Sequence, residues 1–187
     1  MKPNLLLVLC LVAFTGCSFS SNKVEYYLID NKKDLSNAEK FSIPLVINKL
    51  KMPSYLDSKS MVFKLENNEV IKTSNHRWVD LLSSILDKSM KEYLLFDSSI
   101  LKAQICKNDC YSLNVAVNDF SNNYKGFVDV SLIYDVSNNS KNICNGRVIK
   151  QVSYKNNDYK DMVNSFNIAW QDSLDQMSLE IKDCLQK

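Results

Sequence analysis

The chain has 187 residues, with 23 Lys and Arg against 21 Asp and Glu, and a formal net charge of +2 at pH 7. This near-neutral balance indicates no nucleic-acid partner, while 45% apolar and 10% aromatic residues are enough to form a folded core. Three glycines and a single histidine, His76, exclude glycine-rich phosphate loops and disfavour metal clusters and nucleophile–base pairs. The composition therefore disfavours most metal and catalytic sites, and we predict no metal, no cofactor and no catalytic residues.

The N-terminal segment indicates export. It reads MKPNLLLVLCLVAFTGC, with a charged start, an apolar run that ends at Phe14, and two small residues before Cys17. The run is too short to cross a bilayer, which takes about 20 helical residues, and it is typical of a secretory signal. The cysteine at this position resembles the lipobox of bacterial lipoproteins, although Phe14 stands where leucine is usual.

Cys17 is therefore the predicted lipid anchor. The diacylglycerol and N-acyl chains that such a cysteine carries, palmitate among them, bury methylenes at about 0.8 kcal/mol each and give a stable membrane attachment. Ser18, where lipoproteins retained elsewhere have aspartate, favours the outer membrane by the same resemblance. We predict a lipoprotein signal peptide over 1–16, a lipidated tether over 17–22 and a single domain over 23–187. Ordinary secretion with a free cysteine is the alternative.

Four cysteines remain after the signal segment and the anchor: Cys106, Cys110, Cys144 and Cys184. An even number in an exported chain predicts disulfides, with three possible connectivities. We favour Cys106 with Cys110, which share a short polar loop, and Cys144 with Cys184. The second bridge would close a loop of about 40 residues, worth roughly 4 kcal/mol. A four-thiolate zinc site is the alternative, but the paired C-x2-C arms of such sites are absent from the sequence.

The first half of the domain combines strands with one helix. Residues 23–30 and 43–50 have strand patterns, separated by an exposed linker over 31–40. The segment SMVFKLENNEVIK predicts a hairpin around Asn67-Asn68. From Ser74 to Leu95 the apolar residues, Trp78 first, recur every three or four positions, which predicts a helix capped by Ser74 or Asn75.

The second half has the same order of elements. Alternating apolar residues predict strands from Tyr111 to Val117 and from Val128 to Val136, and RVIKQVSY adds another strand after Asn145-Gly146. A long apolar stripe predicts a helix over 159–185, about 40 Å long, with Asp158 near its start. The sequence thus predicts an α+β fold, a mainly antiparallel sheet covered by two helices, the longer one C-terminal.

Few side chains in this pattern suggest a site. His76 has no nucleophile beside it in the sequence and is interpreted as a surface histidine. An apolar and aromatic loop follows the second strand, and it would be an interaction site if exposed or a cap on the sheet edge if buried. Its interface candidates are Pro53, Tyr55 and Leu56. The core candidates are Trp78, Phe120 and Trp170.

The order of these motifs resembles the PqiC-like, ABC-type transport auxiliary lipoprotein family. The resemblance consists of the lipobox, the Tyr26-Tyr27-Leu28 strand, the strand running into Pro-Ser-Tyr-Leu, the tryptophan that opens a helix, the Asp-Phe strand before a glycine-containing hairpin, and Tyr159 followed by Met162-Val163. It covers about residues 23–185. The four later cysteines depart from the family, as does Ser54 where an acidic residue is common.

This resemblance implies a role in lipid trafficking across the periplasm. By this resemblance the chain would be a docking subunit. It would hold the outer end of a tunnel, built by a PqiB-like MCE-domain protein, at the outer membrane. The resemblance also implies a homo-oligomer and no catalytic residues. The competing hypotheses are a stand-alone periplasmic lipoprotein that binds a lipid or small molecule in a closed apolar cavity, and a hydrolase, which the composition disfavours.

Overall fold

The structure, a computed structural model, describes residues 23–30, 43–67, 69–96, 100–102, 110–155 and 158–186. The predicted signal peptide, lipidated tether and exposed linker lie outside these residues, as does Cys106. The described residues form eight strands and two helices: β1 (Glu25–Tyr27), β2 (Ile43–Ile47), β3 (Ser60–Lys64), β4 (Val70–Trp78), α1 (Leu82–Phe96), β5 (Ile100–Lys102), β6 (Tyr111–Asn123), β7 (Phe127–Asn138), β8 (Lys141–Ser153) and α2 (Tyr159–Leu185).

All eight strands belong to one mixed sheet, and its long ladders are antiparallel. β7 pairs with β6 on one side and with β8 on the other along nearly their whole length. The opposite edge of β6 is shared by β2 at its start and β3 at its end, both parallel to it. Beyond β3 the order continues to β4 and then to β1. The predicted α+β fold, with a mostly antiparallel sheet and the longer helix at the C-terminus, is confirmed.

The core lies between the sheet and the two helices. Its centre is an aromatic cluster in which Phe120 of β6 stacks on Phe166 of α2 with ring centroids 4.6 Å apart. Trp78 meets both rings edge-on, and Trp170 donates from its indole nitrogen to Ser89 Oγ of α1 at 2.8 Å. All three core candidates are buried, with at most 1% of each exposed. A buried indole N–H needs such a partner, so this bond also fixes the two helices relative to each other.

The predicted start of the first helix is wrong. Residues 74–78 continue β4, and α1 begins at Leu82. Trp78 fits a helical stripe in the sequence, but the backbone of β4 pairs with β3 and β1, placing Trp78 beside Tyr27. Neither Ser74 nor Asn75 is a cap; instead Asp57, from the loop after β2, accepts from Ser83 N in the first turn of the helix at 3.2 Å.

The turn before the last strand also differs from the prediction. Gly146 lies inside β8 opposite Tyr134, whereas the turn is formed by Asn139 and Ser140, whose φ angles are 47° and 64°. Two successive positive φ values are typical of a tight hairpin turn. The glycine has a packing role, because a Cβ at this position would lie 2.5 Å from Tyr134 Cζ.

The long helix begins and ends where the sequence predicts. Asp158 is its N-cap and accepts from Lys160 N at 2.9 Å. A disulfide joins Cys144 of β8 to Cys184 near the end of α2, with Cα atoms 6.4 Å apart, so two of the four thiols are not available for zinc. Cys110 is also disulfide-bonded. The favoured partner Cys106 lies outside the described residues.

Candidate functional site

The three interface candidates in the loop after β2 differ in how far they are exposed. Leu56 is completely buried and Pro53 is half-buried, but 40% of Tyr55 is exposed. The loop turns back on itself because the amides of Leu56 and Asp57 both donate to the Pro53 carbonyl, at 3.0 and 3.2 Å. Leu56 is therefore a core residue in this chain, and Tyr55 is the interface candidate whose aromatic ring is exposed.

Three contacts hold this loop against the connection between β4 and α1. Asp57 Oδ1 accepts from Ser83 N at 3.2 Å, in the first turn of α1. Trp78 N donates to the Lys59 carbonyl at 2.7 Å. Lys59 Nζ lies 3.7 Å from Asp80 Oδ1, but this pair is well exposed and contributes little. The loop is thus positioned by backbone hydrogen bonds and a helix cap, which keeps Tyr55 at the start of α1.

Exposed apolar side chains also occur on the segments joined to this loop by backbone contacts. Val79 and Leu81 precede α1 and are 43% and 42% exposed, and Val79 N donates to the Tyr27 carbonyl at 3.0 Å, which brings the end of β1 alongside. Leu28 follows β1 and is 54% exposed. We call Leu28, Tyr55, Val79 and Leu81 the loop surface. Exposed apolar side chains on adjoining segments are candidates for a protein–protein contact.

Sequence reasoning missed most of this surface. Placing the helix start at Ser74 turned Val79 and Leu81 into positions on a helix, with Leu81 on its buried stripe. The available signal was Asp80, a favourable N-cap residue directly before the periodic run. A helix that begins at Leu82 leaves Val79 and Leu81 in an exposed connection.

His76 belongs to a separate polar cluster on the helix side of β4. Its ring stacks on Tyr159 with centroids 3.5 Å apart, and its Nδ1 lies 3.0 Å from Tyr27 Oη and 3.6 Å from Glu25 Oε2. Tyr27 donates to Glu25 Oε2 at 2.7 Å. The cluster therefore connects β1, β4 and the first residue of α2.

The pKa values in this cluster move in opposite directions. The hydrogen bond from Tyr27 lowers the pKa of Glu25 below its ordinary 4.5. Desolvation first, and then the hydrogen bond to Glu25, raises the pKa of Tyr27 from 10.0 to about 12. Both shifts favour the same state, an ionised carboxylate that accepts from a neutral phenol. The arrangement ties the short edge strand β1 to the domain.

Two further observations bear on function. Within the part of the chain that the structure describes, no three His, Cys, Asp or Glu side chains converge as metal ligands. Among the described residues, neither helix has the length and apolar character needed to cross a bilayer.

The comparisons with known proteins identify the family. The family described as the ABC-type transport auxiliary lipoprotein component matches residues 27–178. The chain belongs to this family. This makes it an auxiliary lipoprotein component associated with transport, and the family is not a known enzyme family. No curated protein matches the chain significantly.

Solved structures share the fold. One uncharacterised protein is 19% identical, with a TM-score of 0.71 over 85% of this chain and 99% of its own. A Xanthomonas campestris protein of the DUF330 family is 15% identical, with a TM-score of 0.66 over 83% of this chain and 91% of its own. At these identities the likeness concerns the fold alone, and it extends over nearly the whole length of both neighbours.

Proposed function

We propose that this lipoprotein is the outer-membrane subunit of a PqiABC-like MCE lipid transport system. In this role it docks the outer end of a periplasm-spanning tunnel, built by a PqiB-like MCE-domain protein, to the membrane in which Cys17 is anchored, and it supports envelope integrity. The observation that carries the proposal is the family match over residues 27–178. Homo-oligomerisation and action without catalysis are parts of the same proposal.

The loop surface supports docking as its mode of action. Its exposed apolar side chains lie on connections that are held in place by hydrogen bonds, so they can meet a partner without a large loss of conformational entropy. The grooves beside the His76 cluster, of about 390 and 200 Å³, are open to the surface. An open groove favours contact with another surface over the enclosed cavity expected of a stand-alone lipid carrier.

The test is recovery of the partner from membranes. The full-length protein, carrying an affinity tag after Lys187, is crosslinked in cells, solubilised in detergent and purified, and its companions are identified by mass spectrometry. We expect an MCE-domain protein in the eluate. Recovery of the lipoprotein without such a partner, even after crosslinking, would contradict the proposal.

Matched variants connect this result to the loop surface. The double variant Tyr55→Ser and Leu81→Ser should lose most of the partner. The control, Ile168→Ser and Leu179→Ser, removes two apolar side chains of comparable exposure, 43% and 60%, from α2 and should retain it. Equal loss in both variants would exclude the loop surface as the docking site. Membrane fractionation, which should place the protein in the outer membrane, tests the location separately.

A further inference from the structure

The sheet face turned away from α2, here called the outer face, contains a groove of about 550 Å³. A cross-strand row crosses it from Lys51 through Ala116 and Ile133 to Arg147, each residue opposite the next. Lys49 also lines the groove. These residues come from the end of the β2 segment and from β6, β7 and β8, so the groove is built on the most extensively paired part of the sheet.

The carboxylates on this face have hydrogen-bond or ion-pair partners of their own. Asp135 accepts from Asn114 Nδ2 at 2.9 Å, and Asp129 accepts from Asn123 and Gln151 at 2.8 and 2.7 Å. Asp119 is ion-paired with Lys64. The neutral amides fix Asp129 and Asp135 in place and leave their negative charge, whereas the charge of Asp119 is balanced by Lys64.

The cations of the groove have no such partners. Lys49, Lys51 and Arg147 are exposed, and none forms an ion pair with any residue in the described ranges. Asp135 is the one carboxylate among the groove's lining residues. With three cations against one carboxylate in its lining, the groove is electropositive and offers N–H donors to an oxyanion.

Apolar side chains lie among these cations. Ile133 is 43% exposed and Ile149, opposite Ser131 on the neighbouring strand, is 60% exposed. Isoleucines beside lysine and arginine side chains match the chemistry of a phospholipid surface, where phosphates lie next to glycerol and the first acyl carbons. A free inorganic anion would use the cations but not the isoleucines.

We propose that the outer-face groove binds the phosphate groups of anionic phospholipids on the membrane that holds Cys17, an inference that rests on the lipid anchor of the proposed function. The reach of the chain permits this contact. Residues 17–24 precede β1 and span at most about 29 Å when extended. Four strand spacings separate β1 from β7, about 19 Å in all. The groove can therefore touch the leaflet while the anchor stays inserted.

The experiment measures lysine labelling on the lipidated mature protein. The protein is reconstituted into vesicles of phosphatidylcholine alone or of phosphatidylcholine and phosphatidylglycerol in equal parts, then acetylated briefly and analysed by mass spectrometry. Lys49 and Lys51 should be labelled about fivefold more slowly on the anionic vesicles, the factor expected for a cation held at an anionic surface. The exposed Lys125 and Lys155 should be labelled equally on both.

Variants test the geometry. Arg147→Ala should weaken the protection of Lys49 and Lys51, while Lys160→Ala, which removes one exposed cation elsewhere, should leave it intact. Equal labelling on both vesicle types, equal protection of Lys125, or protection by inorganic phosphate alone would overturn the proposal. So would protection confined to native membranes, which would point to a protein partner. Mass spectrometry of the mature N-terminus distinguishes these results from failure of the anchor, since an unmodified Cys17 would contradict the proposed function itself.

Discussion

The two faces of the β6–β7–β8 sheet use the same strands for different purposes. On the helix face, Phe120, Leu132 and Val148 are buried beneath α2, whereas on the outer face Ile133 and Ile149 remain exposed among charged and amide side chains. Because successive side chains of a strand point to opposite faces, each strand contributes to both. Stability is therefore concentrated on the helix face, while side chains of the outer face remain accessible from solvent.

The largest loss of stability should follow from removing a buried side chain on the helix face. Trp170→Ala removes a fully buried ring and the hydrogen bond to Ser89 Oγ, and it should lower the free energy of unfolding by about 3–5 kcal/mol. Denaturant unfolding measures the change. Ile168→Ala on the same helix, at a position 43% exposed, should cost less than about 0.5 kcal/mol. Similar losses in the two variants would contradict the division between faces.

Loss of the disulfide should rank next. Cys184→Ser breaks the link between β8 and α2 across a sequence separation of 40 residues, and it should lower the free energy of unfolding by about 2–4 kcal/mol, mainly by releasing the unfolded chain. Comparison of the oxidised wild type with the variant in denaturant tests this. Under reducing conditions the free energies of unfolding of the two proteins should become similar. A persistent difference would show that the effect comes from packing.

Gly146→Ala tests the close packing of β8 against Tyr134. The new Cβ would meet the Tyr134 ring and disturb the hydrogen bond from its hydroxyl to Glu180 Oε2 at 2.6 Å. We expect a loss of about 1–3 kcal/mol. The double variant Gly146→Ala and Tyr134→Leu should show coupling, because the clash disappears with the ring. Additive effects in this cycle would show that the glycine is needed for another reason.

The cluster at β1 should give a pH-dependent effect. Glu25 has a lowered pKa, so its contribution is present above its ordinary 4.5 and is lost as the pH falls through the lowered value. Tyr27 has a raised pKa, so its contribution is complete below pH 10 and is lost as the pH rises through about 12. Tyr27→Phe should therefore be less stable than wild type at neutral pH, and the difference should vanish near pH 12. A difference that is constant over this range would rule out the phenol as its source.

The smallest change in stability should come from substitutions on the outer face. The triple variant Lys49→Ala, Lys51→Ala and Arg147→Ala removes exposed cations without ion-pair partners among the described residues, so the free energy of unfolding should change by less than about 0.5 kcal/mol. A loss comparable with that of Trp170→Ala would mean that these residues are structural.

The candidate site shows where local pattern is insufficient. Tyr55 could be singled out because an aromatic residue after a proline in a loop is unusual, but whether it or its neighbour Leu56 is exposed depends on how the loop turns against the rest of the fold. The exposure of Val79 and Leu81 could not be predicted, because the apolar periodicity begins before the helix does. In each case the contact that decides exposure comes from a segment distant in the sequence.

The sequence by itself determined the elements whose hydrogen bonds are local. Helix α2 is one, since its cap at Asp158 and its apolar stripe lie within one continuous segment, and the antiparallel pairing of β6 with β7 across a short turn is another. Only the tertiary structure decided that residues 74–78 are a strand, that β2 and β3 share one edge of β6, and that Gly146 accommodates Tyr134. The physical reason is that strands obtain their hydrogen bonds from partners far along the chain, which no local pattern specifies.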